Sequence, residues 1–318
     1  MIKILFIDTA HPYLMEELTR MGYQCDCFED YNATDFKRII HQYDGIIIRS
    51  KIKLNQDILS KASKLRFIAR VGAGMENIDR EYAESKGIIC LNAPEGNRDA
   101  VGEHTLGMLL SLLNHLNRVD REVRRGIWIR EGNRGTEIKG KTVGIIGYGN
   151  MGSAFAQRLK GFEAQVIAYD KYKTGYSNDL VTESAMDELF ENTDILSLHV
   201  PLTEETDYLV NDDFLKKFKK NIYLINTSRG RVVKTADLVK NMQEEKVLGA
   251  ALDVMEYEKL SFENIETAKL PPAFQYLIQA DNVILSPHIA GWTIESNYKL
   301  AKVLVDKIKK LMELDSIH

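Results

Sequence analysis

The fold of this chain is decided by the stretch TVGIIGYGNMGSAFAQRLKGFEAQVIAYD, residues 142–170. It opens with a short apolar run, passes through Gly147, Gly149 and Gly152, continues with a helical pattern and closes with a second apolar run. This order predicts a strand, a glycine-rich turn, a helix and a second strand, the βαβ unit that binds dinucleotides. The first glycine permits the tight turn, the second lets the backbone approach a pyrophosphate, and the third lets helix and strand pack closely.

The second apolar run ends at Asp170, 23 residues after Gly147. A carboxylate at about 20 residues from the first glycine is placed to hydrogen-bond the ribose hydroxyls of NAD. The additional phosphate of NADP would meet a like charge there. The sequence therefore predicts NAD as the cofactor, with its pyrophosphate on the N–H groups that open the helix.

Further apolar runs lie on both sides of this unit and are typical of parallel strands buried on both faces. They occur at residues 2–7, 46–49, 67–71, 88–91, 194–200, 221–227, 247–254 and 282–286. Helical patterns separate many of them, including a long one at about 99–126 and a final one at about 294–311. The alternation predicts an α/β protein with two doubly wound parallel sheets joined through the long helix.

Composition excludes several classes of protein. The 318 residues contain 42 Lys+Arg and 46 Asp+Glu, a net charge of −4, which argues against a dedicated nucleic-acid binder. Three cysteines make neither a disulfide framework nor a zinc site, so no metal is expected. The N-terminus turns polar too early for a signal peptide, and no run reaches the roughly 18 apolar residues of a membrane span. We expect a cytoplasmic protein without a nucleic-acid or membrane partner.

Polar side chains follow three strands of the second predicted sheet. Arg229 follows the apolar run at 221–227, Glu258 follows the run at 247–254, and His288 follows the run at 282–286. Ligands of open α/β sheets bind beyond the carboxyl ends of the strands. Arginine can hold a carboxylate and polarise a neighbouring carbonyl, and a histidine oriented by glutamate can carry a proton. Beside NAD, these residues predict hydride transfer coupled to proton transfer at a 2-hydroxy acid; structural salt bridges at a cofactor mouth are the alternative.

Several segments carrying these residues resemble the D-2-hydroxyacid dehydrogenase family, over nearly the whole chain. They are RVGAGMENID (70–79), GKTVGIIGYGNMG (140–152), HVPLTEET (199–206), NTSRGRVV (226–233), ALDV with the later glutamate (251–258) and PHIAGWT (287–293). The resemblance implies a flavodoxin-like substrate-binding domain from residues 1–97 with 290–318, and an NAD-binding Rossmann domain from residues 98–289. It implies catalytic Arg229, Glu258 and His288, with His288 as acid/base and Glu258 as its partner.

The resemblance also implies cofactor contacts and an assembly. The implied cofactor-binding residues are Gly147, Gly149, Asn150, Met151, Gly152, Asp170, His199, Val200, Pro201, Thr206, Thr227, Ser228, Asp253, Ala290 and Gly291. Subunits of the family pair through the NAD domain, so the long helix near 99–126 is expected in the interface of a homodimer or homotetramer.

Within the family, the chain resembles the branch that oxidises D-3-phosphoglycerate to 3-phosphohydroxypyruvate in serine biosynthesis. The implied substrate-binding residues are Arg49, Ser50, Arg70, Val71, Gly72, Ala73, Gly74 and Arg130. The amides of residues 71–74 would hold the substrate carboxylate, and the arginines would supply charge for the phosphate. We expect a short form without the regulatory domain of longer members.

Alternatives remain open at this point: reduction of glyoxylate, hydroxypyruvate or another small 2-hydroxy acid, and an NAD-sensing binding protein. The chain also departs from the family pattern in two places. Lys259 stands where a proline usually follows the catalytic glutamate, and His288 comes 30 positions after Glu258, a long span.

Overall fold

A computed structural model describes residues 1–258 and 271–315 of the chain. Its contacts divide the chain into two compact units, Met1–Arg98 with Trp292–His318, and Asp99–Gly291. Each unit contains one parallel β-sheet, of five and seven strands. The predicted α/β architecture with two parallel sheets is confirmed. Lys259 lies outside the described residues.

The elements alternate along the chain as βαβ units. The strands are β1 (Lys3–Phe6), β2 (Gln24–Cys27), β3 (Gly45–Ile48), β4 (Phe67–Arg70), β5 (Ile89–Leu91), β6 (Thr142–Ile146), β7 (Gln165–Tyr169), β8 (Thr182–Glu183), β9 (Ile195–Leu198), β10 (Ile222–Asn226), β11 (Val247–Leu252) and β12 (Val283–Leu285). The α-helices are α1 (Pro12–Arg20), α2 (Ala33–Ile39), α3 (Gln56–Leu59), α4 (Arg80–Ser85), α5 (Pro94–Leu113), α6 (Leu116–Arg124), α7 (Asn150–Arg158), α8 (Met186–Asn192), α9 (Asp212–Lys216), α10 (Thr235–Gln243), α11 (Pro272–Gln279) and α12 (Ile294–Asp315). Short 3₁₀ turns occur at Ile40–Gln42, Glu131–Asn133, Leu159–Gly161 and Gly230–Val232.

Both sheets are doubly wound, and each has a point where the strand order reverses. The first sheet has the flavodoxin-like order β2-β1-β3-β4-β5, which reverses between β1 and β3. The second has the order β12-β11-β10-β9-β6-β7-β8, a Rossmann arrangement that reverses between β6 and β9. Ligands of such sheets bind beyond the carboxyl ends of the strands at the reversal. These two places are therefore where functional residues should be sought.

Apolar burial explains why the strands form where they do. Ile46, Ile47 and Ile48 in β3 are completely buried, as expected for a parallel strand covered by helices on both faces. In the first unit α12 packs on α1, and its apolar residues share a core cluster with Ile4 of β1. The final helix thus completes the layer over the first sheet.

The long helix predicted at 99–126 is instead two helices, α5 and α6. His115 between them has a φ of 54°, in the left-handed region, which breaks the helical hydrogen bonding. The apolar pattern runs through the break, so periodicity alone did not reveal it. α6 contains no buried residue, and even its apolar residues Leu116 and Val123 are exposed. No helix in the described ranges has the length and apolar character needed to cross a membrane.

Candidate active site

The glycine-rich turn lies at the strand-order reversal of the second sheet. Gly147 follows β6 with a φ of 90°, and a Cβ there would lie 2.5 Å from the carbonyl oxygen of His199, beyond β9. A Cβ on Gly152 would lie 2.1 Å from the Gly147 carbonyl oxygen, so this glycine permits the close packing of α7 on the turn. Gly149 has open space where a Cβ would stand. Among the described residues, no side chain caps α7 at Gly149.

The Asp170 carboxylate is held against this turn by backbone amides. Its Oδ2 accepts a hydrogen bond from the N–H of Tyr148 at 2.8 Å. Its Oδ1 accepts from the N–H groups of Tyr172 at 2.9 Å and Lys173 at 3.1 Å. An ionised carboxylate has about four lone-pair positions, so capacity remains for a ribose hydroxyl. The uncapped helix start, the open space at Gly149 and this carboxylate fit a dinucleotide with an unphosphorylated ribose.

His199 is a neutral group beside the same turn. Its Nε2 lies 2.8 Å from Ser197 Oγ, and its Nδ1 is buried without a partner among the described residues. Burial lowers the pKa of His199 to about 3. The ring is therefore neutral near pH 7, which makes it unsuitable as the proton carrier of a reaction at that pH.

The other residues expected at the cofactor lie on the turn or at strand ends of the same sheet. Asn150 and Met151 open α7, and Val200 and Pro201 follow His199 beyond β9. The Thr206 hydroxyl donates to the carbonyl of Pro201 at 2.6 Å and fixes the loop after them.

Three neighbouring strands bring together the residues expected to be catalytic. Arg229 follows β10, Glu258 follows β11 and His288 follows β12, and these strands are adjacent in the sheet. His288 Nδ1 lies 3.0 Å from Glu258 Oε2. Such a bond orients the imidazole ring and would stabilise its protonated form. The pairing predicted for these two residues is present.

The loop carrying Arg229 is shaped by a buried asparagine. Asn226, the last residue of β10, accepts hydrogen bonds from the N–H and hydroxyl of Ser228 and donates to the carbonyl of Arg229 at 2.9 Å. Arg229 Nη1 donates to the Ser228 carbonyl at 2.7 Å. A Cβ on Gly230 would lie 2.0 Å from the backbone of Met255, so the loops after β10 and β11 touch.

Asp253 anchors the segment that carries His288. This carboxylate is 1% exposed, and its oxygens accept from the N–H of Ile289 at 2.9 Å and of Ala290 at 2.8 Å, and from Ser286 Oγ at 2.5 Å. His288 donates its N–H to the Asp253 carbonyl at 2.7 Å and has a φ of 57°, which is unusual for a residue with a side chain. Burial alone would raise the pKa of Asp253, but its hydrogen bonds outweigh burial and lower it.

His104 joins this network from α5. Its Nε2 lies 3.0 Å from Ser286 Oγ and 3.5 Å from Asp253 Oδ1. Thr105, the next residue, places its hydroxyl 3.1 Å from that of Thr227. Sequence reasoning singled out neither Asn226 nor Ser286. Their positions at strand ends, next to residues 227–229 and 287–288, are the signal that could have found them.

In the first unit, the expected substrate residues lie at the carboxyl ends of two paired strands. Arg49 and Ser50 follow β3, and Val71, Gly72, Ala73 and Gly74 follow β4, its neighbour. Asp8, after β1, accepts from the N–H groups of Arg49 at 2.6 Å and Ser50 at 3.0 Å. Arg70 ends β4, and its guanidinium lies where a Cβ on Gly72 would stand.

Arg130 belongs to the second unit. It is exposed and precedes the 3₁₀ turn Glu131–Asn133, beside Trp128 and Ile129. It therefore lies on the surface segment that follows α6.

Comparison with known proteins places this geometry in a family. Residues 106–290 match the D-isomer specific 2-hydroxyacid dehydrogenase NAD binding domain. The chain is 35% identical over 286 residues to hydroxypyruvate reductase of Thermotoga maritima, covering 89% of both chains. It is 37% identical over 275 residues to glyoxylate reductase of Thermofilum pendens, covering 84% of this chain and 77% of that one.

A third relative is D-3-phosphoglycerate dehydrogenase of Methanocaldococcus jannaschii, 32% identical over 315 residues. The match covers 98% of this chain and only 58% of that relative. Among solved structures, D-lactate dehydrogenase from Aquifex aeolicus in complex with NAD and lactic acid has a TM-score of 0.82 and 29% identity, covering 98% of this chain and 96% of that one. The chain therefore belongs to the D-isomer specific 2-hydroxyacid dehydrogenase family, and it is an NAD-binding oxidoreductase of small 2-hydroxy acids.

Proposed function

We propose that this enzyme oxidises D-3-phosphoglycerate to 3-phosphohydroxypyruvate with NAD, a cytoplasmic step of serine biosynthesis. The observation that carries the proposal is Arg49, a cation at the strand-order reversal of the first sheet. Its backbone is fixed by Asp8 and by the Asn77 side chain, which donates to the Arg49 carbonyl at 3.1 Å. A phosphate monoester carries nearly two negative charges at neutral pH and is well matched by guanidinium groups.

The chemistry belongs to the strand-end residues of the second unit. His288 takes the proton of the substrate hydroxyl, while Glu258, 3.0 Å from its Nδ1, stabilises the resulting imidazolium. Arg229 holds the substrate carboxylate and polarises the reacting oxygen. Bound NAD supplies the hydride acceptor. The turn at Gly147, Gly149 and Gly152 would hold its pyrophosphate, and Asp170 its ribose.

The remaining assignments follow the same scheme. The amides of residues 71–74 would bind the substrate carboxylate, and Arg70 and Arg130 would add positive charge for the phosphate. His199, Val200, Pro201, Thr206, Thr227, Ser228, Asp253, Ala290 and Gly291 would line the cofactor. Asp253 also acts through the backbone of Ile289 and Ala290, which hold His288 in position.

A homodimer formed through the second unit is part of the proposal. α6 has no buried residue, and Ile127, Trp128 and Ile129 after it are exposed by 42%, 80% and 53%. Contiguous exposed apolar surface of this kind marks an interaction site. Light scattering should give twice the chain mass of 36.3 kDa, or four times that mass if dimers pair again. Val123→Glu should shift the protein towards the monomer.

The substrate is tested by comparing phosphoglycerate with glycerate, which has the same carboxylate and hydroxyl but no phosphate. We expect kcat/KM for D-3-phosphoglycerate to exceed that for D-glycerate by about 10² or more, about 2.7 kcal/mol in transition-state binding. Arg49→Ala and Arg130→Ala should each shrink the ratio. Equal turnover of both substrates would contradict the assignment.

A second candidate is reduction of glyoxylate or hydroxypyruvate with NADH. The reductases named above are 35% and 37% identical to this chain, and the match with the Thermotoga protein covers 89% of both chains. A single panel of substrates distinguishes the two candidate functions. Rapid NADH oxidation with glyoxylate and hydroxypyruvate, without discrimination in favour of phosphoglycerate, would select the reductase.

A further inference from the structure

Arg49 stacks on an exposed tryptophan of its own unit. Its guanidinium carbon lies 4.4 Å from the centroid of the Trp292 ring. The indole is 66% exposed and lies two residues before α12 begins. A cation over the face of tryptophan at this distance is attracted by the electron density of the ring.

The contact with the ring leaves the N–H groups of the guanidinium available for hydrogen bonding. The five N–H groups of arginine point outward in the plane of the group, and only its face is covered by a ring. Within residues 1–258 and 271–315, the Arg49 side chain has no hydrogen-bond acceptor and no ion-pair partner. Partial burial lowers the pKa of Arg49, while the Asp8 carboxylate opposes this effect. An anion approaching the edge would compensate the charge without displacing the indole.

Arg49 is held at both its backbone and its guanidinium. At the backbone end, Asp8 Oδ2 accepts from the N–H groups of Arg49, Ser50 and Lys51, at distances from 2.6 to 3.1 Å. At the other end, the Trp292 ring lies against the guanidinium and limits its movement. A preorganised group loses less conformational entropy when it binds a ligand, and arginine has more such entropy to lose than most side chains.

We propose that Trp292 is a specificity-determining positioning residue, which holds the Arg49 guanidinium in place for the phosphate of the substrate. This inference rests on the proposed function. It assigns to Trp292 the orientation of the cation, and to Arg49 the contact with the anion.

Steady-state kinetics test the inference first. Trp292→Leu removes the ring but keeps an apolar side chain, and should lower the ratio of kcat/KM for phosphoglycerate over glycerate by about fivefold, the size of one exposed cation–π contact. The loss should be in the KM for phosphoglycerate. Trp292→Phe should recover part of the ratio because it restores an aromatic face. Ile294→Ala is the matched control: Ile294 is 89% exposed two residues away, and its loss should change the ratio by less than twofold.

Fluorescence tests the contact directly, because the chain has only two tryptophans. In the Trp128→Phe variant, emission comes from Trp292 alone. Titration with D-3-phosphoglycerate should change this emission saturably, D-glycerate should not, and Arg49→Ala should abolish the response. An equal response to glycerate would mean that Arg49 binds the carboxylate and would overturn the inference.

The two levels of the proposal fail differently. If the unmodified enzyme discriminates between the substrates but Trp292→Leu keeps the full ratio, only the role of Trp292 is wrong. If the unmodified enzyme does not discriminate, the proposed function is wrong and the inference with it.

Discussion

The carboxyl edges of the two sheets use aspartate in the same way but treat their other charges differently. Asp8 in the first unit and Asp253 in the second each follow a strand and accept hydrogen bonds from successive backbone amides of a neighbouring loop. In the second unit the ionisable side chains themselves are then paired, as in His288 with Glu258. In the first unit, Arg49 ends on the face of an indole.

This difference separates two tasks. Charges that are paired by the protein are held in position before a ligand arrives, which suits a reaction common to many substrates. A guanidinium held by stacking keeps its hydrogen-bonding edge for an anion from outside, which suits selection of one substrate. Residues at the carboxyl edge of the second unit's sheet should therefore govern kcat, and residues at the carboxyl edge of the first unit's sheet should govern KM.

Replacing His288 should have the largest effect. His288→Asn removes the proposed proton acceptor but keeps a polar side chain, and should lower kcat by about 10²–10⁴. NAD affinity, measured by calorimetry, should change little. Glu258→Gln should also lower kcat, because the His288 ring loses the carboxylate that orients it. An unchanged kcat in His288→Asn would remove this residue from proton transfer.

Asp253 should matter next, and Asp8 provides the matched control. Asp253→Asn places an amide NH₂ among N–H donors at a site that is 1% exposed, and should lower the free energy of unfolding by about 1–3 kcal/mol. It should also lower kcat, because the backbone that carries His288 loses its anchor. Asp8→Asn, at a less buried site, should cost less stability and should raise the KM for phosphoglycerate. If both variants acted on the same kinetic constant, the proposed division between the edges would be wrong.

Much of the fold could be predicted because parallel strands buried on both faces are nearly continuous apolar runs. β3, with the sequence GIII, is typical. β2 was missed because its sequence QCDC has no such run: it is an edge strand, and Cys27 in it is exposed. The two-residue β8 is too short to produce a pattern. The break at His115 depends on one left-handed residue, which hydrophobic periodicity does not register.

The site divides in the same way. Residues that follow strands directly, such as Arg229 and His288, are accessible to sequence reasoning because parallel strands end at a common edge. Contacts made across the chain are not. His104 reaches Ser286, 182 residues away, and the ring of Trp292 reaches Arg49. No local pattern encodes these contacts, since they depend on how helices and loops pack over the sheet.

Cofactor selectivity should show a smaller effect. Asp170→Ala removes a carboxylate that accepts hydrogen bonds from three backbone N–H groups beside the glycine turn. The change should weaken NAD binding by about tenfold, the value of one charge-assisted hydrogen bond. The preference for NAD over NADP should narrow, because repulsion of the 2′-phosphate is also removed. Fluorescence titration of both cofactors measures the change. Equal affinity of the unmodified enzyme for NAD and NADP would contradict this role.

The smallest effect concerns His199, and it distinguishes this buried neutral histidine from His288, which is proposed to be catalytic. The unfolded chain takes up a proton at this residue as the pH falls through about 6.5, whereas the folded chain does so only near 3, its lowered pKa. Between these values the unfolded state binds more protons, so the free energy of unfolding falls as the pH falls. The expected loss is about 1 kcal/mol between pH 6.5 and 5.5.

Urea unfolding of the cofactor-free protein at a series of pH values measures this loss. His199→Gln keeps a polar partner for Ser197 but does not titrate, so it should flatten the dependence above pH 5. Asp253 contributes a dependence of the same sign, but at lower pH, because its carboxylate has a lowered pKa and is protonated only in more acidic solution. His115, whose pKa is lowered by burial and by Arg118, should supply the remaining slope, and His115→Gln is the control for it. If the slope persists in His199→Gln and disappears in His115→Gln, the ring beside the glycine turn is not the buried neutral group. His199 would then again be open to a role in proton transfer, and the assignment of that role to His288 alone would rest on its own kinetics.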